Sequence, residues 1–236
     1  MTTPKLSEAR RDLLWTLAFL AVVVAWDVSG ADLQTVRWVA GSHGFAWRNN
    51  WLLAGFFHEG GRWLSAMVAG VVVVNVVRPW SFARDMSALD RWWWCLATIA
   101  CLVLIPTLKH GSATSCPWDL AEFGGHAHYV SHWALGVSDG GPGGCFPSGH
   151  ASAAFGFFSG WFVLRATAPT AARRWLAGVW LCGIAFGIAQ LLRGAHYPSH
   201  SMWTAWLCWT LSALMWHASR PLCRMATRPA EVPVGG

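Results

Sequence analysis

Charge is what this 236-residue chain has least of: Asp, Glu, Lys and Arg make up 12% of it, about half the share usual in a soluble domain. That scarcity argues against an ordinary soluble enzyme, whose water-facing surface needs charged side chains. Charge is absent altogether from six blocks, Leu13–Trp26, Trp63–Val77, Trp92–Leu108, Ala151–Leu164, Trp175–Leu192 and Met202–His217. A helix at the surface of a soluble bundle keeps a polar face, and these segments have none. Ionisable groups are therefore missing from mid-membrane depth, where a small transporter would carry them. Internal repeats and low-complexity tracts are also missing, which leaves one domain over residues 1–236. No cysteine or paired carboxylate completes a tetrahedral set with His126, His128 and His132, so these read as a solvated loop cluster and no metal site is expected.

What is present is apolar: 55% hydrophobic residues, with 19 Trp. Most blocks fall slightly short of the ~20 residues a helix needs to cross a bilayer. Their Trp-rich flanks suit the headgroup region and extend them. The predicted fold is all-α and polytopic, with six transmembrane helices. The formal net charge of +6 could indicate nucleic acid, but its distribution points elsewhere. Of the 17 Lys and Arg, only Arg37, Arg48, Arg62, Lys109 and Arg193 fall on one side; the other twelve, including Lys5, Arg224 and Arg228, share the side of both termini. Positive residues stay in the cytoplasm, which puts both termini inside and makes the bilayer, not nucleic acid, the partner. Trp26 and Asp27 make a poor cleavage region, so the first block reads as an uncleaved anchor.

Two excursions lie on the periplasmic side. The first runs from Asp27 to Arg62, and its Ala31–Gly41 stretch suits a short interfacial helix. The second runs from Lys109 to Pro147 and ends in Gly140-Gly141-Pro142-Gly143-Gly144, which cannot be regular structure. Cys95, Cys101, Cys182, Cys208 and Cys223 read as small apolar fillers. Cys116 and Cys145 share the second excursion in an oxidising compartment, so a disulfide is expected between them.

Topology gathers the polar residues. Lys109 ends the third block, Pro147-Ser148-Gly149-His150 opens the fourth, and Gln190, Arg193, His196 and His200 straddle the fifth and sixth. All reach the same membrane surface. Gly156 with Gly160 and Gly183 with Gly187 let helices approach closely, drawing His150 toward His196. These groups suit phosphoryl transfer. Ser148 is a natural helix N-cap, and the N–H groups of Gly149 and His150 favour an anion. Lys109 and Arg193 supply fixed positive charge for phosphate oxygens. Of two histidines, one can attack phosphorus while the other protonates the departing oxygen.

The series Lys109…Cys116-Pro117, Pro147-Ser148-Gly149-His150 and His196-Tyr197-Pro198-Ser199-His200 resembles the type 2 phosphatidic acid phosphatase superfamily over about 92–217. The resemblance implies a six-helix membrane fold and hydrolysis without metal or other cofactor through a phosphohistidine. It makes His196 the nucleophile and His150 the general acid, with Lys109, the Ser148 hydroxyl and the Gly149 N–H on the phosphate. Three positions depart from the pattern: Cys116 and Gln190 stand where the family has Arg, and His200 where it has Asp. Arg193, one helical turn beyond Gln190, is expected to replace the phosphate contact, and His200 to orient His196.

The resulting expectation is a lipid phosphatase at the outer leaflet of a bacterial inner membrane. By resemblance its substrate is undecaprenyl diphosphate, phosphatidylglycerophosphate or lipid A. A lipid A phosphotransferase using the same intermediate and a catalytically silent lipid-binding protein stay open beside it. Asp119 reads as loop solvation or as a carboxylate orienting a catalytic histidine, His217 as a structural cation at a helix C-terminus, and Asn75 as a helix–helix hydrogen bond.

Overall fold

A computed structural model describes residues 7–41, 44–134 and 136–226, side chains of 221–226 excepted. Lys5 and Arg228, two of the twelve charges assigned above to the side of the termini, lie outside the described residues, as do the side chains of Cys223 and Arg224. The described residues are helical, with only two isolated β-bridges. The helices are α1 (Glu8–Val28), α2 (Ala31–Val39), α3 (Gly61–Val77), α4 (Ala88–His110), α5 (Gly149–Phe155), α6 (Ser159–Leu164), α7 (Pro169–Leu192) and α8 (Pro198–Ala226).

Local chemistry sets their ends. Ser7 caps α1 by accepting the Arg10 N–H, and Ser87 caps α4 by accepting that of Asp90. Proline occupies the first position of α7 and α8, where the missing N–H costs nothing. Gly30, at φ +69°, turns the chain between α1 and α2, which meet at 69°. Helix α3 extends backward through a π-helical segment, Leu52–Gly60. The second half of the first excursion is thus helix, which the charges of His58, Glu59 and Arg62 concealed in the sequence.

Helix α8 packs against α1, α4, α5, α6 and α7 around a core that includes Trp94, Phe158 and Phe162. Outward faces are apolar as well: Trp63 and Met67 on α3, Val103 on α4, Leu181 on α7 and Leu214 on α8 are all exposed. Water would not tolerate such a band. Leu52–Val77, Ala88–His110 and Pro169–Leu192 are long and apolar enough to cross a membrane, and α1 with α2 forms a fourth stretch if the bent pair counts as one. The chain is a membrane protein.

The fourth block is not one helix. It breaks at Gly156–Phe158, where hydrogen bonds tighten to three-residue spacing. Trp175 Nε1 donates at 2.7 Å to the Phe157 carbonyl, which also accepts the Gly160 N–H at 3.1 Å. At the end of the bundle away from the histidines, Asp12 of α1 pairs with Arg165 at 2.8 Å and His217 of α8 at 2.9 Å. His217 therefore ties helices together through a carboxylate. Asn75 Oδ1 accepts the Trp80 N–H at 3.1 Å, a helix-end contact instead of one between helices.

Candidate active site

Three segments meet at one end of the bundle. The last turn of α4 carries Lys109, the first turn of α5 carries His150, and the α7–α8 turn carries His196. Helix α7 ends with paired bonds from Gly194 N–H to Leu191 O (2.9 Å) and from Ala195 N–H to Gln190 O (2.8 Å). This closure needs a left-handed residue, and Gly194 supplies it at φ +72° with the Phe45 ring packed where a Cβ would go. The chain leaves that turn pointing His196 inward.

His196 is 2% exposed. Its Nε2 lies 3.5 Å from His150 Nδ1, and its Nδ1 lies 3.4 Å from His200 Nδ1. A proton assigned to His196 Nδ1 would face His200 and leave the Nε2 lone pair toward His150. Burial, reinforced by His200, His150 and Lys109, holds His196 well below the usual histidine range. Its neutral form is therefore favoured at neutral pH.

His200 is fixed through its backbone. Its carbonyl accepts the Ser148 N–H at 3.1 Å and the Thr204 hydroxyl at 2.8 Å, and that hydroxyl also lies 3.0 Å from the Ser148 carbonyl. The starts of α5 and α8 are thereby stitched together. Ser148 Oγ accepts the Ala151 N–H at 3.3 Å, the N-cap expected from sequence. The Lys109 side chain runs alongside Gly149, where an added Cβ would meet its Cδ at 3.7 Å.

Lys109, Gly149 and His150 line a cleft of about 290 Å³ together with Phe57, His58, Gly61, Arg62, Pro106, Ala153 and Phe186. The His58 ring centroid is 4.3 Å from that of His150, and Glu59 joins His58 (2.8 Å) to Arg62 (3.2 Å). Sequence reasoning missed His58 and Arg62. The only signal was the polar run His58-Glu59-Gly60-Gly61-Arg62 at the edge of an apolar block.

Arg193 does not enter this cleft's lining. Its Nη1 donates to Gln190 Oε1 at 3.3 Å and its Nε to the Arg48 carbonyl at 3.1 Å. Burial and the charge of Arg48 lower its pKa from the ordinary value, although an arginine starts so high that it keeps its charge. Trp118 lies beneath both guanidiniums, 4.7 Å from Arg48 and 5.8 Å from Arg193. Gln190 is 1% exposed and serves Arg193 through Oε1; its Nε2 has no partner among the described residues.

Cys116 and Cys145 are joined, with Cα atoms 5.2 Å apart. The Cys145 sulfur lies 3.4 Å from His196 Nδ1, so the disulfide forms one wall of the histidine pocket. Asp119 accepts the Cys116 N–H at 3.2 Å and caps a turn, which gives it a partner other than a histidine. His126 and His128 are exposed, as a solvated cluster requires, but His132 is not with them. Its side chain is 7% exposed, 3.3 Å from Asp27, and stacked on Phe146. Burial lowers its pKa, and Asp27 and Asp32 oppose that shift.

Asp27, Asp32 and His132 offer ligand atoms within 4.8 Å of one another. Three of the four carboxylate oxygens already accept hydrogen bonds, and Asp27 Oδ1 has no partner among the described residues. Asp27 Oδ2 accepts from Trp133 and Trp203, and Asp32 accepts from Trp26 and Ser199.

Residues 90–222 match the family model described as the PAP2 superfamily. The matched stretch holds Lys109, His150, His196 and His200 and excludes Asp27, Asp32, His58 and Arg62. No curated protein and no solved structure matches the chain.

Proposed function

The chain belongs to the PAP2 superfamily, and on that premise we propose that it is a lipid phosphatase working through a phosphohistidine. Members of the family are phosphatases, so the substrate carries phosphate. The observation that carries the reading is the 3.5 Å separation of His196 Nε2 from His150 Nδ1, with the His150 ring lining the cleft that holds Lys109. His196 Nε2 attacks phosphorus, a P–N bond forms, and the bond to the lipid oxygen breaks. Burial, with His58, Lys109, Arg193 and Arg62, holds the pKa of free His150 down to about 3. His150 takes up a proton as the phosphate anion binds, gives it to the lipid oxygen, then takes one from the water that releases phosphate. Lys109, the Ser148 hydroxyl and the Gly149 N–H hold the phosphate oxygens, Arg193 stays bonded to Gln190, and His200 orients His196.

A lipid tail has somewhere to go. An apolar groove of about 740 Å³ lies between α3 and the α5–α7 helices and shares Ala153 and Phe186 with the cleft. It follows α7 from Phe186 to Arg174, about 18 Å at 1.5 Å per residue. Six membrane passes, with both termini cytoplasmic and the site periplasmic, fit the charge distribution and the six apolar blocks. An inner-membrane lipid such as undecaprenyl diphosphate, phosphatidylglycerophosphate or lipid A is the substrate class.

Phosphate release from purified protein in detergent micelles tests this. A long-chain lipid phosphate should show a kcat/KM at least ~10-fold above that of a water-soluble phosphate ester, since burying two methylenes gives about that factor. Val68→Trp, which fills the groove, should erase the preference. Equal kcat/KM for both substrates in the unmodified protein would contradict the lipid assignment.

A further inference from the structure

The elbow between α1 and α2 reaches the histidine site from outside the family match. Asp32, 5% exposed, is the second residue of α2. Its Oδ1 accepts the Trp26 indole N–H at 2.8 Å and the Ser199 backbone N–H at 3.0 Å, while its Oδ2 accepts the Ser199 hydroxyl. Ser199 sits in the first turn of α8, immediately before His200 and three residues after His196. The carboxylate thus takes a backbone N–H that the helix itself cannot pair, and its negative charge lies at the positive end of α8.

Nothing around this grip is loose. Ser199 is 0% exposed, His200 1% and His196 2%, so a shift of the first turn passes directly into the rings. The His196–His200 separation of 3.4 Å is already at the long edge of a hydrogen bond. A further displacement would break it. Asp27, on the same elbow, holds Trp203 one turn along α8 at 2.7 Å and Trp133 at 2.9 Å. The elbow therefore clamps α8 at two successive turns.

We propose that Asp32 is a positioning residue, holding the first turn of α8 through Ser199 so that His200 stays against His196. The proposal rests on the catalytic reading above. Asp32 touches neither the cleft nor the phosphate-binding groups, so its effect falls on turnover and not on substrate binding. The segment that carries it is part of the working site, even though the family match begins at residue 90.

Steady-state kinetics with a short-chain phosphatidic acid in micelles tests it. Asp32→Ala should lower kcat roughly 100-fold, the scale of a misplacement near 1 Å, with KM unchanged. Asp32→Asn keeps an oxygen for the Ser199 and Trp26 N–H groups and an NH2 for the Ser199 oxygen, so it should restore most of kcat. If Asp32→Ala does not fold, Ser199→Ala decides: it keeps the backbone bond and loses the hydroxyl, and its kcat should fall with KM constant. Wild-type kcat in whichever of those variants is folded would overturn the positioning role. An Asp32→Asn protein as impaired as Asp32→Ala would overturn it too, by showing that charge and not placement matters. Wild-type protein that releases no phosphate would overturn the catalytic reading instead.

Discussion

A histidine attacks phosphorus only through an unprotonated nitrogen. Burial removes water that would stabilise imidazolium, and His200, His150 and Lys109 add like charge, so His196 keeps its neutral form to lower pH than an exposed histidine does. The sign follows. Activity that depends on His196 is present above its lowered pKa and lost only as pH falls through it. The acid limb of kcat/KM assigned to this base should therefore lie below 6.5, the ordinary histidine value. A pH–rate profile checks this, and half-loss at 6.5 traced to His196 would contradict it. Folding follows the same linkage: below 6.5 the unfolded chain binds a proton that buried His196 refuses, so stability declines toward acid. Lys109, His150 and His196 were legible in the sequence because each belongs to a short local pattern. Asp32 was not, because its contact with Ser199 spans 167 residues and an acid on a short amphipathic helix looks solvated. His132 was misread for the same reason: only the fold turns it away from His126 and His128 and onto Asp27.

At the scale of elements, apolar blocks and their order were readable, and the breaks within them were not. Residues 151–164 are uniformly apolar, so periodicity alone cannot separate one helix from two. Small residues at four-residue spacing suggested close helix approach; two of the four seat rings, while Gly156 meets Leu102 and Gly187 meets Ser201. The Phe155 ring of α5 occupies the space above Gly183 of α7, and the Trp175 ring of α7 occupies that above Gly160 of α6. Phe155 stacks on Phe158 and meets Trp180, so it has nowhere to retreat. Gly183→Ala should push α5, and with it His150, away from His196. It should cost about 1–3 kcal/mol in stability by overpacking and reduce turnover. Gly178→Ala meets nothing within 4 Å and should be stabilising by up to about 1 kcal/mol through helix propensity. Thermal unfolding in detergent compares the two; equal melting temperatures would refute the ring-seat account.

The whole molecule assembles its proposed site from three regions. The family core contributes Lys109, His150, His196 and His200. The segment before it contributes the Asp27–Asp32 elbow, and beyond that His58 and Arg62. The loop closed by Cys116–Cys145 contributes the sulfur against His196. These converge on one claim, that phosphate passes through His196. Trapping the intermediate tests it most directly. Purified protein should be given a lipid phosphate carrying radiolabelled phosphorus, then quenched within one turnover in alkaline detergent, because a phosphorus–nitrogen bond survives base and not acid. The account predicts label on the peptide containing His196 in the wild-type protein and none in His196→Ala, which should also lose nearly all turnover. A His196→Ala protein that hydrolyses the lipid at the wild-type rate would contradict it.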